Sequence, residues 1–431
     1  MTSFFRRLPR LFQVEQSIPI ELADNFRHYY WDITWYGLLN GTVLSFLNYF
    51  AVRMGATSTQ VGIITAIPAV VSLFLALPAG VILQRHSVNH ATFITAVLSR
   101  IFYLIFILLP FVKSSEWVIS LIMLVTLIMT IPAVFSNVGF NTSFAMNIPD
   151  QYRAHVAGVR NAAFAIVTIF VSLLSGIILE VVKFPYGYAI VFAIGFIGSL
   201  LSAYHLHKLK AITSATPGIA PVEANPEQSV GAEPSTANER PRIFKDLIRL
   251  DLIKGRTGLL IFLLTMVIFA LFVSAPVFPI YLVNRFHFSD QVLSIGMASF
   301  NFSIFLASLN LEAIEHRMGR KKAIGFGFIL MSTFPATFLF MSSPIVYYVA
   351  NLVSGLGSAL TNGEIYNYLY ERIPSRDHGS AVAWFTLTSN IAVLAGATLG
   401  PLIANSFSFG ISVLILTAIR FIVSLAILRW G

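Results

Sequence analysis

The chain has 431 residues, 56% of them hydrophobic and only 11% charged, with a mean hydropathy of +0.78. Soluble domains carry about 25% charged residues, so a single water-facing globule is excluded and long apolar helices in a bilayer are expected. The absence of cysteine removes disulfides, thiol nucleophiles and thiolate metal sites. No stretch alternates at period two over tens of residues, so a membrane barrel is not expected.

In chain order, Phe4 opens FFRRLPRLFQ, where bulky apolar and basic residues alternate. Such a stretch suits a membrane surface, and it suits a solvated basic tail equally well. Arg6, Arg7 and Arg10 are not followed by an apolar core and a small-residue cleavage site, so no cleaved signal peptide is expected. Twelve apolar segments follow, at 31–52, 58–83, 91–112, 117–147, 155–182, 185–206, 257–284, 290–314, 321–342, 344–373, 378–404 and 408–429. Between the sixth and seventh, Ala211 to Pro241 is rich in Pro, Ala, Ser, Glu and Gly, a composition that cannot build a core and reads as a linker. Helical periodicity returns in IFKDLIRLDL, predicting a surface helix near 243–252.

The net charge of +9 is explained by where the basic residues fall. With an even number of crossings the two termini share a side, and most of the 28 Lys and Arg lie in loops on that side. Arg53, Lys113, Lys183 and Arg285 lie on the other, and Arg100 and Arg420 fall within segments. This bias predicts both termini in the cytoplasm and a multi-pass protein of the cytoplasmic membrane. Basic residues spread over every inner loop, rather than gathered on one face, argue against a nucleic-acid partner.

The two halves echo each other. Ser136 to Pro149 reads SNVGFNTSFAMNIP and Thr361 to Pro374 reads TNGEIYNYLYERIP, with Asn137 and Asn362, Ile148 and Ile373, and Pro149 and Pro374 at one constant offset. The loops that follow both place a basic residue after the proline, Arg153 and His378. Between segments eight and nine, Glu312 to Lys322 reads EAIEHRMGRKK, and the matching loop of the first half, Gly80 to His90, reads GVILQRHSVNH.

Six segments, an inner linker and six more with these loops resemble the major facilitator superfamily. Arg317, Gly319, Arg320, Lys321 and Lys322 match the family's inner-loop signature, with Glu315 and His316 where an Asp is usual and Glu312 where a Gly is usual. In the first half Gly80 and Arg85 match, while Gln84 and Ser87 depart. The GATLGP run with Gly396, Gly400 and Pro401 looks like a motif the family carries in span five, but here it is in span eleven, where a kink with close packing is the better reading. The resemblance implies an all-α membrane protein of 12 transmembrane helices in two six-helix bundles. Its domains are 1–208, a cytoplasmic linker 209–256, and 257–431. It implies a latch at the inner loops and a central cavity lined by spans one, four, seven and ten.

An ionisable side chain inside hydrocarbon costs about 2.5–3.5 kcal/mol on insertion scales, so each invites a reason. Glu364 lies about 13 Å from the inner end of its segment at 1.5 Å per residue. That depth makes it a candidate for proton coupling, or a structural carboxylate paired with Tyr366 or Asn362. Arg100 and Arg420 are expected to find structural partners. Asp32, with Arg27 and His28, reads as an ion cluster at the inner mouth of span one. Asn40, Asn137, Asn141 and Asn362 are expected along the cavity for substrate binding, with Asn390 less so, and Tyr36, Tyr366 and Trp384 could supply aromatic walls.

The expected function is secondary active transport of a small amphipathic or hydrophobic molecule by alternating access, coupled to protons through Glu364, with export favoured. Membrane lipids surround a monomer that needs no cofactor. A lipid flippase on the same fold differs only in cargo. A rival, an intramembrane acyltransferase, would use the His28-x-x-x-Asp32 pair, for which no nucleophile or oxyanion donors are evident. The nine histidines are scattered, no metal site is expected, and there is no ATP-binding P-loop.

Overall fold

In the computed structural model the described residues are 20–83, 85–210, 252, 255–374 and 377–431, and among them the regular structure is entirely helical. Twelve long helical segments result. Helix α1 runs through Ile20–Leu39, a π-helical turn at Asn40–Leu44 and Ser45–Arg53. It is followed by α2 (Ser58–Leu83), α3 (Val88–Phe111), α4 (Ser115–Asn147), α5 (Asp150–Val181) and α6 (Tyr186–His207). The second half comprises α7 (Gly255–Arg285), α8 (Asp290–Ser308), α9 (Arg320–Phe340), α10 (Pro344–Arg372), α11 (His378–Ser406) and α12 (Phe409–Trp430). The linker 209–256 and its surface helix near 243–252 lie almost wholly outside the described residues.

Ten of these helices are long and apolar enough to cross a membrane by themselves. The other two are α1 and α10, which carry the polar residues expected of a cavity. The apolar run at 31–52 understates α1, because the helix already begins at Ile20. Leu22, Phe26 and Tyr29, spaced at three and four residues, bury one face of that early part. Segment eight is also shorter than its apolar run, since a separate loop helix, Leu311–Met318, precedes α9.

Local chemistry sets the helix ends. Ser289 caps α8, its hydroxyl accepting from the Val292 amide at 3.4 Å. Gly319 starts α9 at φ +77°, a left-handed conformation natural to glycine. Pro149 and Pro374 stand just beyond the ends of α4 and α10.

Within each half the helices pack as a bundle, α1 on α5 and α6, α4 on α2 and α3, α7 on α11 and α12, and α10 on α8 and α9. The broadest contacts between the bundles are α5 with α8 and α2 with α11, and α7 also touches α1 and α2. The core explains how. At the end remote from the termini, one cluster takes in Phe46, Phe50 and Val52 of α1 together with Val277 and Leu282 of α7, Leu293 of α8 and Tyr347 of α10. On the termini side the clusters separate. One gathers α7, α9, α10, α11 and α12, and two others belong to the first bundle alone. The buried apolar residues of the two bundles thus merge at the far end and form separate clusters at the near end. Large side chains such as Phe74, Trp117, Phe170, Phe262 and Ile422 are exposed, as a lipid-facing surface requires.

Small residues bring helices together where hydrophobic area alone cannot. A Cβ on Gly37 or Gly41 would press on Val167 or Val171 of α5, and one on Gly396 or Gly400 would meet the Phe269 or Val273 carbonyl of α7. Backbone cannot yield as a flexible side chain can. Gly400→Leu is therefore expected to destabilise by about 1–3 kcal/mol, the usual cost of overpacking. A lowered unfolding temperature in detergent would register this, and an unchanged one would show that α7 and α11 are not tightly apposed.

Candidate functional site

The near-end gap between the bundles is walled by polar positions. On α4, Phe135 and Val138 pack toward α2, while Gly139 abuts Thr92 of α3. Ser143 and Asn147 bond Asn89 of α3 at 2.7 and 3.1 Å. The face left over carries Asn137 and Asn141, both exposed. Across the gap Asn362 of α10 is exposed and donates to Ser358 at 3.0 Å. One turn further, Tyr366 sets its ring edge-to-face on Phe385 of α11. On α1, Tyr36 stacks on Phe164 of α5, and Asn40, at the π-helical turn, reaches Thr168 at 3.5 Å. Trp384 and Asn390 lie instead on a cavity of about 370 Å³ in the α2–α11 seam, beside Leu73 and Leu77.

Behind this wall the first bundle buries charge. Asp32 is 4% exposed and lies between helices, accepting from Ser202 of α6 at 2.5 Å and pairing with Arg160 of α5 at 3.4 Å. Arg100 of α3, 8% exposed, is a second cation within electrostatic reach of the same carboxylate. Arg160 also lies over the Phe140 ring of α4, 4.5 Å from its centroid. This corrects the expected cluster at the mouth of span one. The residue that pairs there is Asp24, with Arg27 at 3.2 Å, His28 at 3.8 Å and Lys210 at 3.0 Å. His28 in turn faces His205 at 3.0 Å. His28 and Asp32 thus have separate partners and form no catalytic pair.

Arg160 lies near the inner end of the 155–182 segment, where a cation passes for a loop residue; α5 in fact starts at Asp150, which sets Arg160 well inside the helix and the bundle. Asp32 was misplaced because its helix was started too late. The signal that could have found both is a carboxylate and two arginines at similar depths in segments one, three and five.

Glu364 is 1% exposed, yet it does not stand alone near the middle of the span. Arg320, at the start of α9, gathers Glu364 at 3.3 Å, Glu371 at 3.0 Å and Glu315 of the loop helix at 2.5 Å. Asn367 donates to Glu364 at 3.4 Å. The carboxylate is thus tied to the inner-loop signature, and Glu315 occupies the acidic role that the His316 position lacks. Lys321 reaches the Arg429 carbonyl at 3.3 Å. Arg85, His316 and Arg317 are exposed, and Gly80 is half-buried.

The repeated basic residue after each proline has a plain physical role. Arg153 reaches back to the Ile148 carbonyl at 3.0 Å and to that of Ala145. His378 does the same to Ile373 at 2.8 Å and Tyr370 at 3.0 Å. Both satisfy carbonyls that the ends of α4 and α10 leave without intrahelical partners.

The family model of the Major Facilitator Superfamily matches residues 34–278 and 260–431. The chain belongs to the major facilitator superfamily. Among solved structures of the same fold, a D-xylose-proton symporter aligns at a TM-score of 0.68 with 16% identity, covering 95% of this chain and 97% of its own. A mutant of the nucleoside transporter NupG aligns at 0.67 with 14% identity, covering 94% and 99%. The xylose transporter XylE from E. coli, in a partially occluded inward open conformation, aligns at 0.66 with 14% identity, covering 94% and 96%. No curated protein sequence matches. Membership makes this a multi-pass transporter and sets the acyltransferase aside.

In this superfamily member the far end is held by more than apolar packing. Arg53, the last residue of α1, pairs with Asp290 of α8 at 2.9 Å and donates to the Phe288 carbonyl at 2.8 Å. Ser58 of α2 donates to Asn405 of α11 at 2.9 Å. Asp290→Asn should loosen this closure. With the chain free of native cysteine, spin labels on Met54→Cys and Asn284→Cys would report it as a longer far-end distance; an unchanged distribution would show that the pair does not hold the ends together.

Proposed function

We propose that this protein is a proton-coupled secondary transporter of a small amphipathic molecule, working by alternating access in the cytoplasmic membrane with both termini in the cytoplasm. The carrying observation is that the bundles share one apolar core at the far end and keep separate cores at the near end, where α1, α4 and α10 present polar residues. The charge bias of the loops supports a cytoplasmic near end. The domains we propose are 1–208, a tether 209–256, and 257–431. Asn40, Asn137, Asn141, Asn362, Tyr36 and Tyr366 are the proposed substrate contacts.

Coupling is better placed on Asp32 than on Glu364. A buried carboxylate paired with one guanidinium and within electrostatic reach of a second changes the balance of its bundle when it takes a proton. Glu364 has its own cation and suits a latch at the inner loops. Export, the direction expected from the sequence, is not part of the proposal. A second reading, lipid flipping, is favoured only by the mostly apolar cavity in the α2–α11 seam.

The test begins with ligands that raise the unfolding temperature, from a panel including D-xylose, nucleosides and amphipathic acids, amides and amines. A hit is then followed in proteoliposomes under an imposed pH gradient. Asp32→Asn should keep exchange and lose gradient-driven accumulation, while Glu364→Gln should keep accumulation. Full accumulation by Asp32→Asn would return the coupling role to Glu364.

A further inference from the structure

The buried cluster around Asp32 holds two cations and one anion. Asp32 uses its oxygens on Ser202 and Arg160. Arg100 Nη1 and Arg160 Nε are buried with no hydrogen-bond partner among the described residues. A third buried arginine shows the contrast. Arg420 of α12 has no carboxylate but donates to the carbonyls of Met331 at 3.0 Å, Ala270 at 3.4 Å and Leu271 at 3.5 Å, and lies over the Phe278 ring. Its guanidinium is satisfied by backbone. Arg100 and Arg160 leave donors open, and a buried charge without a partner is costly.

We infer that Arg100 and Arg160 form a binding site for the carboxylate of a monoanionic amphipathic molecule, which completes the charge balance of the first bundle. The reasoning rests on the transporter reading above and names its substrate class. One net positive charge calls for one negative charge. A guanidinium fork with open N–H groups matches a carboxylate. The rings of Phe140 and Phe144 lie against Arg160, with Tyr36 stacked on Phe164 on the neighbouring face of α1 and α5, and these aromatics offer an apolar wall to the rest of the molecule.

The same geometry sets a dependence on pH. Asp32 competes with the ligand for the two arginines, so a proton on Asp32 and an anion on the arginines favour each other. The groups facing Asp32 are Tyr29 and Tyr36 of α1, Arg100 of α3 with Tyr103 beside it, and Arg160 of α5; α6 contributes Ser202. His28 and His205 lie toward the near end and face each other. Anion binding therefore tightens as pH falls through the range in which Asp32 takes its proton. Proton and anion then travel together.

The experiment uses the full chain in detergent, with benzoate as probe, benzamide as its neutral isostere and inorganic phosphate as an anion without an apolar body. Benzoate should raise the unfolding temperature, benzamide and phosphate should not, and the benzoate shift should grow as pH is lowered within the range where benzoate stays ionised. Asp32→Asn should bind benzoate about tenfold tighter or more, since a competing charge a few ångströms away is gone, and its binding should no longer vary with pH. Arg100→Gln should lose the shift, and Arg100→Lys should keep part of it should the Gln variant not fold. Equal shifts from benzoate and benzamide, a benzoate shift that survives Arg100→Gln, or weaker binding in Asp32→Asn would overturn the site. Because these are binding measurements, failure here is separable from absence of transport in proteoliposomes.

Discussion

Everything in this molecule turns on an asymmetry of burial. At the far end Arg53 and Asp290 meet across two bundles that share a single apolar core. At the near end each bundle closes on itself. In a bilayer, apolar side chains gain little by leaving lipid for protein, so association between bundles must come from close packing and satisfied polar pairs. The far end has both. Gly62 of α2 approaches the Ala397 backbone of α11, and Gly176 of α5 meets Ser294 of α8. The near end has neither among the described residues, which leaves the gap that α1, α4 and α10 face.

Charge inside the bundles divides into three kinds of site, and partner count tells them apart. Arg420 is saturated by carbonyls and glues α12 to α7 and α9. Arg320 is oversupplied with carboxylates, from the loop helix and α10, and ties the inner loop down. Arg160 pairs with Asp32, Arg100 lies within electrostatic reach of the same carboxylate without pairing with it, and both keep donors open. Arg420 is complete as it stands, and Arg320, whose Nε also makes no hydrogen bond, has the Glu364 carboxylate 3.3 Å from that nitrogen. The third is incomplete, and incompleteness in a low-dielectric interior points to something that arrives.

The fold was legible in the sequence because hydrophobic runs and loop charges are one-dimensional signals. Most helices end within a few residues of the apolar segments, and the repeated Asn, Ile and Pro of the two halves marked the duplication. The site was less legible. Asp32 was placed at the mouth of span one because its helix was taken to begin with the apolar run at 31, whereas polar residues such as Asp24, Asn25 and His28 are already helical. Glu364 looked isolated because depth can be counted along a chain while a partner from another helix cannot. Arg160 looked like a loop cation because α5 begins among polar residues. The inner-loop signature, by contrast, is a position the sequence marks by itself. Its physical content, Arg320 drawing three carboxylates together, needed the third dimension.

If the two ends are the two gates of one rocking motion, opening one must close the other. The most direct measurement is the near-end distance between labels on His90→Cys and Lys322→Cys in lipid, compared between the otherwise native chain and the same chain carrying Asp290→Asn. Alternating access predicts that the near-end distance shortens in Asp290→Asn. A near-end distance that stays the same or lengthens while the far end opens would contradict it, because the bundles would then be separating rather than rocking about a central site.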